Sequence, residues 1–129
     1  MGVSLPYQLT ITPKPGYLHA IVSGANTREN VERCLRDVQS ECAARACPRV
    51  LIEDRLVGPR LDLLEVFHLA EQISERAPGV FDAVAYVDVN AENDRNMRFA
   101  EDVAVNRGLP GRTFLSVEDA EGWLRSVAG

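Results

Sequence analysis

Apolar and polar positions alternate with a period of two in two short runs near the start of the chain, YQLTI (7–11) and YLHAIVSG (17–24). Both are rich in β-branched and aromatic residues, and Pro13, Pro15 and Gly16 lie between them. They read as the strands of a hairpin joined by a five-residue loop. In the second run Leu18, Ala20 and Val22 fall on one face and Tyr17, His19 and Ile21 on the other, as a pleated strand requires. The period then changes to that of a helix. Asn26 stands three residues before Glu29, the spacing of a capping box, and predicts a helix over 27–46 whose inward stripe is Val31, Leu35, Val38 and Cys42.

RVLIED (49–54) has the continuous apolar centre of a strand covered on both faces. After Gly58-Pro59, apolar residues at Leu63, Val66, Phe67, Ala70, Ile73 and Ala77 predict a helix over 61–77 that Pro78-Gly79 ends. FDAVAYVDV (81–89) reads as the next strand. A polar loop follows it, then a helix carrying Phe99, Ala100, Val103 and Ala104, which Gly108 closes. RTFLS (112–116) is a short last strand, and Ser116 caps a terminal helix with Ala120, Trp123, Leu124 and Val127 on one side. The order ββαβαβαβα predicts a single α/β domain over 1–129. Its small mixed sheet has parallel core strands and helices packed against it.

Composition narrows the function more than it suggests one. Apolar residues make up 46% and charged residues 26% of the 129, so the chain can bury a core without disulfides or metal. The net charge of −5 gives no field for phosphate backbones and no basic anchor for anionic lipid, so neither nucleic acid nor a membrane is expected as a partner. The N-terminus lacks a basic patch followed by an apolar stretch, and no apolar run is long enough to cross a bilayer. Cys34, Cys42 and Cys47 match no zinc or redox spacing and read as free thiols of a cytoplasmic protein.

The candidate chemistry gathers where parallel strands end. Carboxyl ends of such strands are where α/β sheets collect ligands, so Asp54, Arg55, Arg60, Asp62 and Asp88 are the candidate ligand-binding residues. The alternating oxygens of Asp88, Asn90, Glu92, Asn93 and Asp94 lack the glycine and final glutamate of a calcium loop. His19 and His68, the two histidines, sit in no metal-binding motif, and no nucleophile has a base at motif spacing. No cofactor, metal or catalytic set is expected. Leu61, Leu64 and His68 form a second stripe on the 61–77 helix, displaced from its core face, and are the candidate interface.

The order of elements resembles STAS-type domains, and details look more particularly like the bacterial SpoIIAA-like family. The residues that carry the resemblance are Gly58-Pro59 with Asp62, Phe67 with Leu69-Ala70-Glu71, AVAYV (83–87) and Phe99-Ala100-Glu101. Asn106-Arg107-Gly108, Phe114, Glu118-Asp119-Ala120 and Trp123-Leu124 continue it, over roughly residues 17 to 125. The resemblance implies a non-catalytic binding or regulatory module that acts through a protein partner. Anti-sigma-factor antagonists of related fold carry a phosphorylatable Ser or Thr at the start of the helix after the third strand. Residues 55–62 here, RLVGPRLD, contain no hydroxyl, and Asp62 takes the place in the first helical turn. Related folds include lipid-binding domains, so the alternative is a carrier of a small ligand, an apolar one included; an enzyme is the least favoured reading.

A homodimer is expected through the second stripe, since a helix pairing with its own copy is a simple two-fold contact. Leu64→Glu should then split the dimer in sedimentation while circular dichroism stays unchanged, because each interface acquires two buried like charges. A wild-type chain that is monomeric at high micromolar concentration ends the idea.

Overall fold

The computed structural model describes residues 6–59, 68, 72, 82–88, 102 and 111–128. Among them, five strands and two helices are laid out as β1 (Gln8–Lys14), β2 (Tyr17–Ala25), α1 (Arg28–Ala44), β3 (Arg49–Val57), β4 (Ala83–Asp88), β5 (Gly111–Phe114) and α2 (Val117–Ala128). The strands form one mixed sheet in the order β1-β2-β3-β4-β5, antiparallel at the β1–β2 hairpin and parallel throughout the rest. This is a small α/β domain. Among the described residues no helix is long and apolar enough to cross a membrane. His68 and Asp102 are helical and exposed.

The hairpin is tighter than its prolines suggest. Lys14 pairs with Tyr17, so only Pro15 and Gly16 make the turn, and Pro13 lies within β1 opposite Leu18. An edge strand tolerates a residue that cannot donate to a ladder. Proline's fixed negative φ followed by Gly16 at φ 86° suits a type II turn, where a side chain at the second position would be strained. Gly24 is constrained differently. A Cβ there would stand 3.0 Å from both Pro6 O and Tyr7 Cα, so the chain leading into β1 passes directly over it.

Each face of the sheet has its own core. On one, Val31, Cys34, Val38 and Cys42 of α1 pack on Leu18, Ala20 and Val22 of β2 and on Val50, Ile52 and Leu56 of β3. On the other, Ala120 and Leu124 of α2 pack on Leu51, Ala83, Ala85 and Val87, with Tyr17 alongside and Phe114, Val117 and Trp123 at the margin. Alanines at 83, 85 and 120 let α2 lie close to β4. β3 is enclosed on both faces, as its continuous apolar centre predicts, but it runs to Val57 rather than ending at Asp54.

The helix ends differ in how they follow local sequence. Thr27, not Asn26, caps α1, its Oγ1 accepting from Asn30 N at 3.1 Å. Asn26 is occupied elsewhere, its side chain donating to Pro59 O at 2.6 Å. Ser116 caps α2 as its position predicts, accepting from Asp119 N at 3.2 Å. The buried side of α2 is narrower than expected. Ala120 and Leu124 form the enclosed i, i+4 row, whereas on the neighbouring row Trp123 is half-buried and Val127 is exposed.

These positions rank two core substitutions. Leu124→Ala removes a fully enclosed side chain and should cost about 2–5 kcal/mol in equilibrium denaturation. Trp123 is half-buried and stacked at a tilt on Phe114, ring centres 5.6 Å apart, so Trp123→Ala should cost less than the ~3–5 kcal/mol of an enclosed tryptophan. A larger loss at 123 than at 124 would show that the aromatic contact, not the alanine-lined groove, anchors the helix.

Candidate functional site

The carboxyl ends of β3 and β4 bring acids together on register. Asp54 and Asp88 are direct partners across the parallel ladder, and the period of two puts both on the α1 face with Ile52, Leu56, Val84 and Tyr86. Both are buried, at 2% and 8% exposure. Asp54 is held from two sides. Its Oδ1 accepts from Leu56 N at 2.8 Å, and its Oδ2 accepts from the Tyr86 hydroxyl. Burial first, and then the charge of Asp54 and the hydrogen bond to it, push the Tyr86 phenol well above its ordinary pKa, so it is a fixed donor.

The residue before Asp54 faces the other way. Glu53 is 4% exposed and lies on the α2 side of the sheet with Leu51. His19 Nε2 on β2 stands 2.9 Å from Glu53 Oε1, and the Arg55 guanidinium binds Glu53 Oε2 through Nε and Nη2. A buried carboxylate is thus clamped between an imidazole and a guanidinium whose own side chain is half-exposed. Removing these donors would leave a buried carboxylate without partners, which costs stability.

The thiols and phenols of this region are held protonated. Burial, followed by the charges of Asp54 and Asp37, pushes the Cys34 thiol up to about 12. Burial, followed by Cys47 and Glu41, does the same for Cys42. Since the thiolate is the stronger nucleophile, neither thiol is the first to attack a substrate at neutral pH. Tyr7 is also raised, by burial and then by Cys34 and Asp37; it donates to Asp37 Oδ2 at 3.3 Å, and Arg33 lies over its ring. Tyr17, raised to about 12 by burial and its hydrogen bond, donates to Glu121 Oε2.

Of the residues that the sequence singles out, Asp54, Arg55 and Asp88 do meet at neighbouring strand ends, but on opposite faces. Asp54 and Asp88 face α1, and Arg55 lies beside Glu53 on the far side. They do not converge on one point. Arg60, Asp62, Leu61 and Leu64 lie outside the described residues, as do 90–94 of the acidic loop; His68 is exposed. Tyr86 and His19 are the functional neighbours that the sequence reading passes over. The alternation in AVAYVD places Tyr86 on the face of Asp88, which was the available signal; His19 reaches Glu53 only through the parallel register of β2 on β3. Among the described residues, no group of three or more His, Cys, Asp or Glu side chains is arranged to hold a metal ion. No protein-family model matches the chain, and no curated protein matches it.

The protonated thiols fix the sign of the alkaline pH dependence. Cys34 and Cys42 ionise near 9.0 when unfolded and near about 12 when folded, so above pH 9 the unfolded chain releases protons that the folded chain keeps. Their contribution is fully present below about pH 9 and is lost as pH rises toward about 12. Urea midpoints should therefore fall between about pH 8 and pH 10.5, and a Cys34→Ala, Cys42→Ala variant should fall less steeply. Parallel curves for the two proteins would show that the thiols are not the titrating groups.

Proposed function

We propose that the chain is a non-catalytic binding module of the SpoIIAA-like, STAS-related kind, which contacts a protein partner at the carboxyl rim of its sheet. The observation that carries this reading is what the rim exposes. Its acids Glu53 and Asp54 are buried in internal bonds, while Val57 and Leu115 stand 56% and 71% exposed. Val57 ends β3. Leu115 follows β5, whose Phe114 is in register with Val87 and through it with Glu53, so both exposed apolar residues lie toward the carboxyl ends of parallel strands. Exposed apolar residues beside a half-exposed arginine are the composition of a protein contact; catalysis asks for ionisable groups free to reach a substrate.

Three further points support the reading. The antiparallel first strand and the sequential parallel order agree with a STAS-related sheet. The stretch from Arg55 to Asp62 has no hydroxyl, so this module is not switched there by phosphate. Exposure of His68 agrees with a homodimer contact along 61–77.

Affinity capture with the wild-type chain, Val57→Glu and Leu115→Glu tests the proposal. A partner should form a stoichiometric complex with wild type in sedimentation and lose it with one or both variants, while circular dichroism shows all three folded. A small molecule that survives purification in native mass spectrometry and disappears with Arg55→Ala overturns the reading in favour of a ligand carrier.

A further inference from the structure

We propose that Cys42 and Cys47 are an oxidisable dithiol that closes into a disulfide when the chain meets a hydroperoxide. The geometry comes from how α1 ends. Cys47 N donates to Cys42 O at 3.0 Å and Ala46 N to Ala43 O at 3.2 Å, while Ala46 takes φ 51°. These are the two bonds and the left-handed residue of a Schellman motif, with an alanine where glycine is usual. In that motif the third residue from the helix end and the second residue beyond it lie against each other, and here both are cysteines.

Two observations bring the residues within disulfide range, and the Cys47 sulfur now donates to Arg49 O at 3.5 Å, a weak bond that it gives up on turning to Cys42. The 3.0 Å hydrogen bond limits the separation of the two Cα atoms, because N–Cα and Cα–O add only about 1.5 and 2.4 Å even in a straight line. The sum is about 6.9 Å, the bends at N and O shorten it, and disulfides span roughly 4.4–6.8 Å between Cα atoms. Independently, Cys42 belongs to the buried cluster of the α1 face, and Cys47 packs against that cluster. Neither is bridged; all three cysteines are free thiols.

The pair divides the chemistry by exposure. Cys42 is buried and its thiol is held protonated, whereas Cys47 is half-buried and is the sulfur a small peroxide reaches. The Cys47 sulfur attacks one peroxide oxygen, the O–O bond breaks, and Cys47 becomes a sulfenic acid as water leaves. The Cys42 sulfur then attacks Cys47, the S–O bond breaks, and the departing hydroxide takes the Cys42 proton as a second water. Two thiols are oxidised and one hydroperoxide is reduced. The bridge fixes the end of α1 against the start of β3, where Pro48 O also accepts from Asp82 N and Ala83 N at the entry to β4.

Trypsin reads the outcome, because arginines at 36, 45 and 49 separate the two cysteines onto fragments 37–45 and 46–49, and Cys34 onto a third. The folded chain is treated with hydrogen peroxide, its remaining thiols are alkylated in denaturant, and the digest is weighed with and without reductant. Fragments 37–45 and 46–49 should appear as one linked species that separates on reduction, with Cys34 alkylated. Cys42→Ala should raise irreversible sulfinic and sulfonic oxidation of Cys47 several-fold, since no thiol then resolves the sulfenic acid. Linkage through Cys34, linkage between two copies of Cys47, or over-oxidation of Cys47 in the wild type beside an alkylated Cys42 overturns the proposal.

Discussion

A carboxylate can leave water only if its oxygens find other donors, and β3 carries two carboxylates in succession within its buried stretch. Because neighbouring residues of a strand face opposite ways, Glu53 and Asp54 cannot share donors. Each face of the sheet has to supply its own. Asp54 draws on the Leu56 amide and the Tyr86 hydroxyl, and Glu53 on His19 and Arg55. These bonds tie β3 to β4 on one face and to β2 on the other, so the central strand is pinned to both neighbours where the apolar core thins out. A one-residue slip of β3 would exchange the faces and strand both charges.

The same constraint shapes what the rim can do. A side chain that satisfies a buried charge is not free to meet a ligand, and most of the polar groups at these strand ends serve one another. Among the described residues, the surface left over is apolar at Val57 and Leu115 and cationic at Arg55. Such a surface is suited to shape and area. The reading as a protein-contact module rests on this division between internal and external roles.

Much of this was legible in the sequence. The alternation in 17–24, the uninterrupted centre of 49–54 and the row through Ala120 and Leu124 were sufficient because burial alone decides them. Legibility failed where a long-range bond outweighed a local rule. Asn26 and Thr27 are both good caps, and only the bond from Asn26 to Pro59 O, across 33 residues, leaves the cap to Thr27. Asp54 read as the rim of a shorter strand, since nothing nearby announces that Tyr86, 32 residues on, supplies its donor. Ala46 hid a left-handed helix end that a glycine would have advertised. At Pro13 the local rule held in general and failed in particular, because an edge strand does not need the missing donor.

Tyr17 sits at the start of β2, yet its ring lies in the cluster of Ala120 and Leu124 and its hydroxyl bonds to Glu121, 104 residues further along. On a ribosome adding roughly 5–20 residues per second, the partner of Tyr17 emerges on the order of five to twenty seconds after it. Through that interval the Tyr17 ring lacks Ala120 and Leu124, and its hydroxyl lacks Glu121, the partners that α2 brings in the folded domain. Closure around Tyr17 is therefore a late event of synthesis, made by a helix about a hundred residues further along the chain.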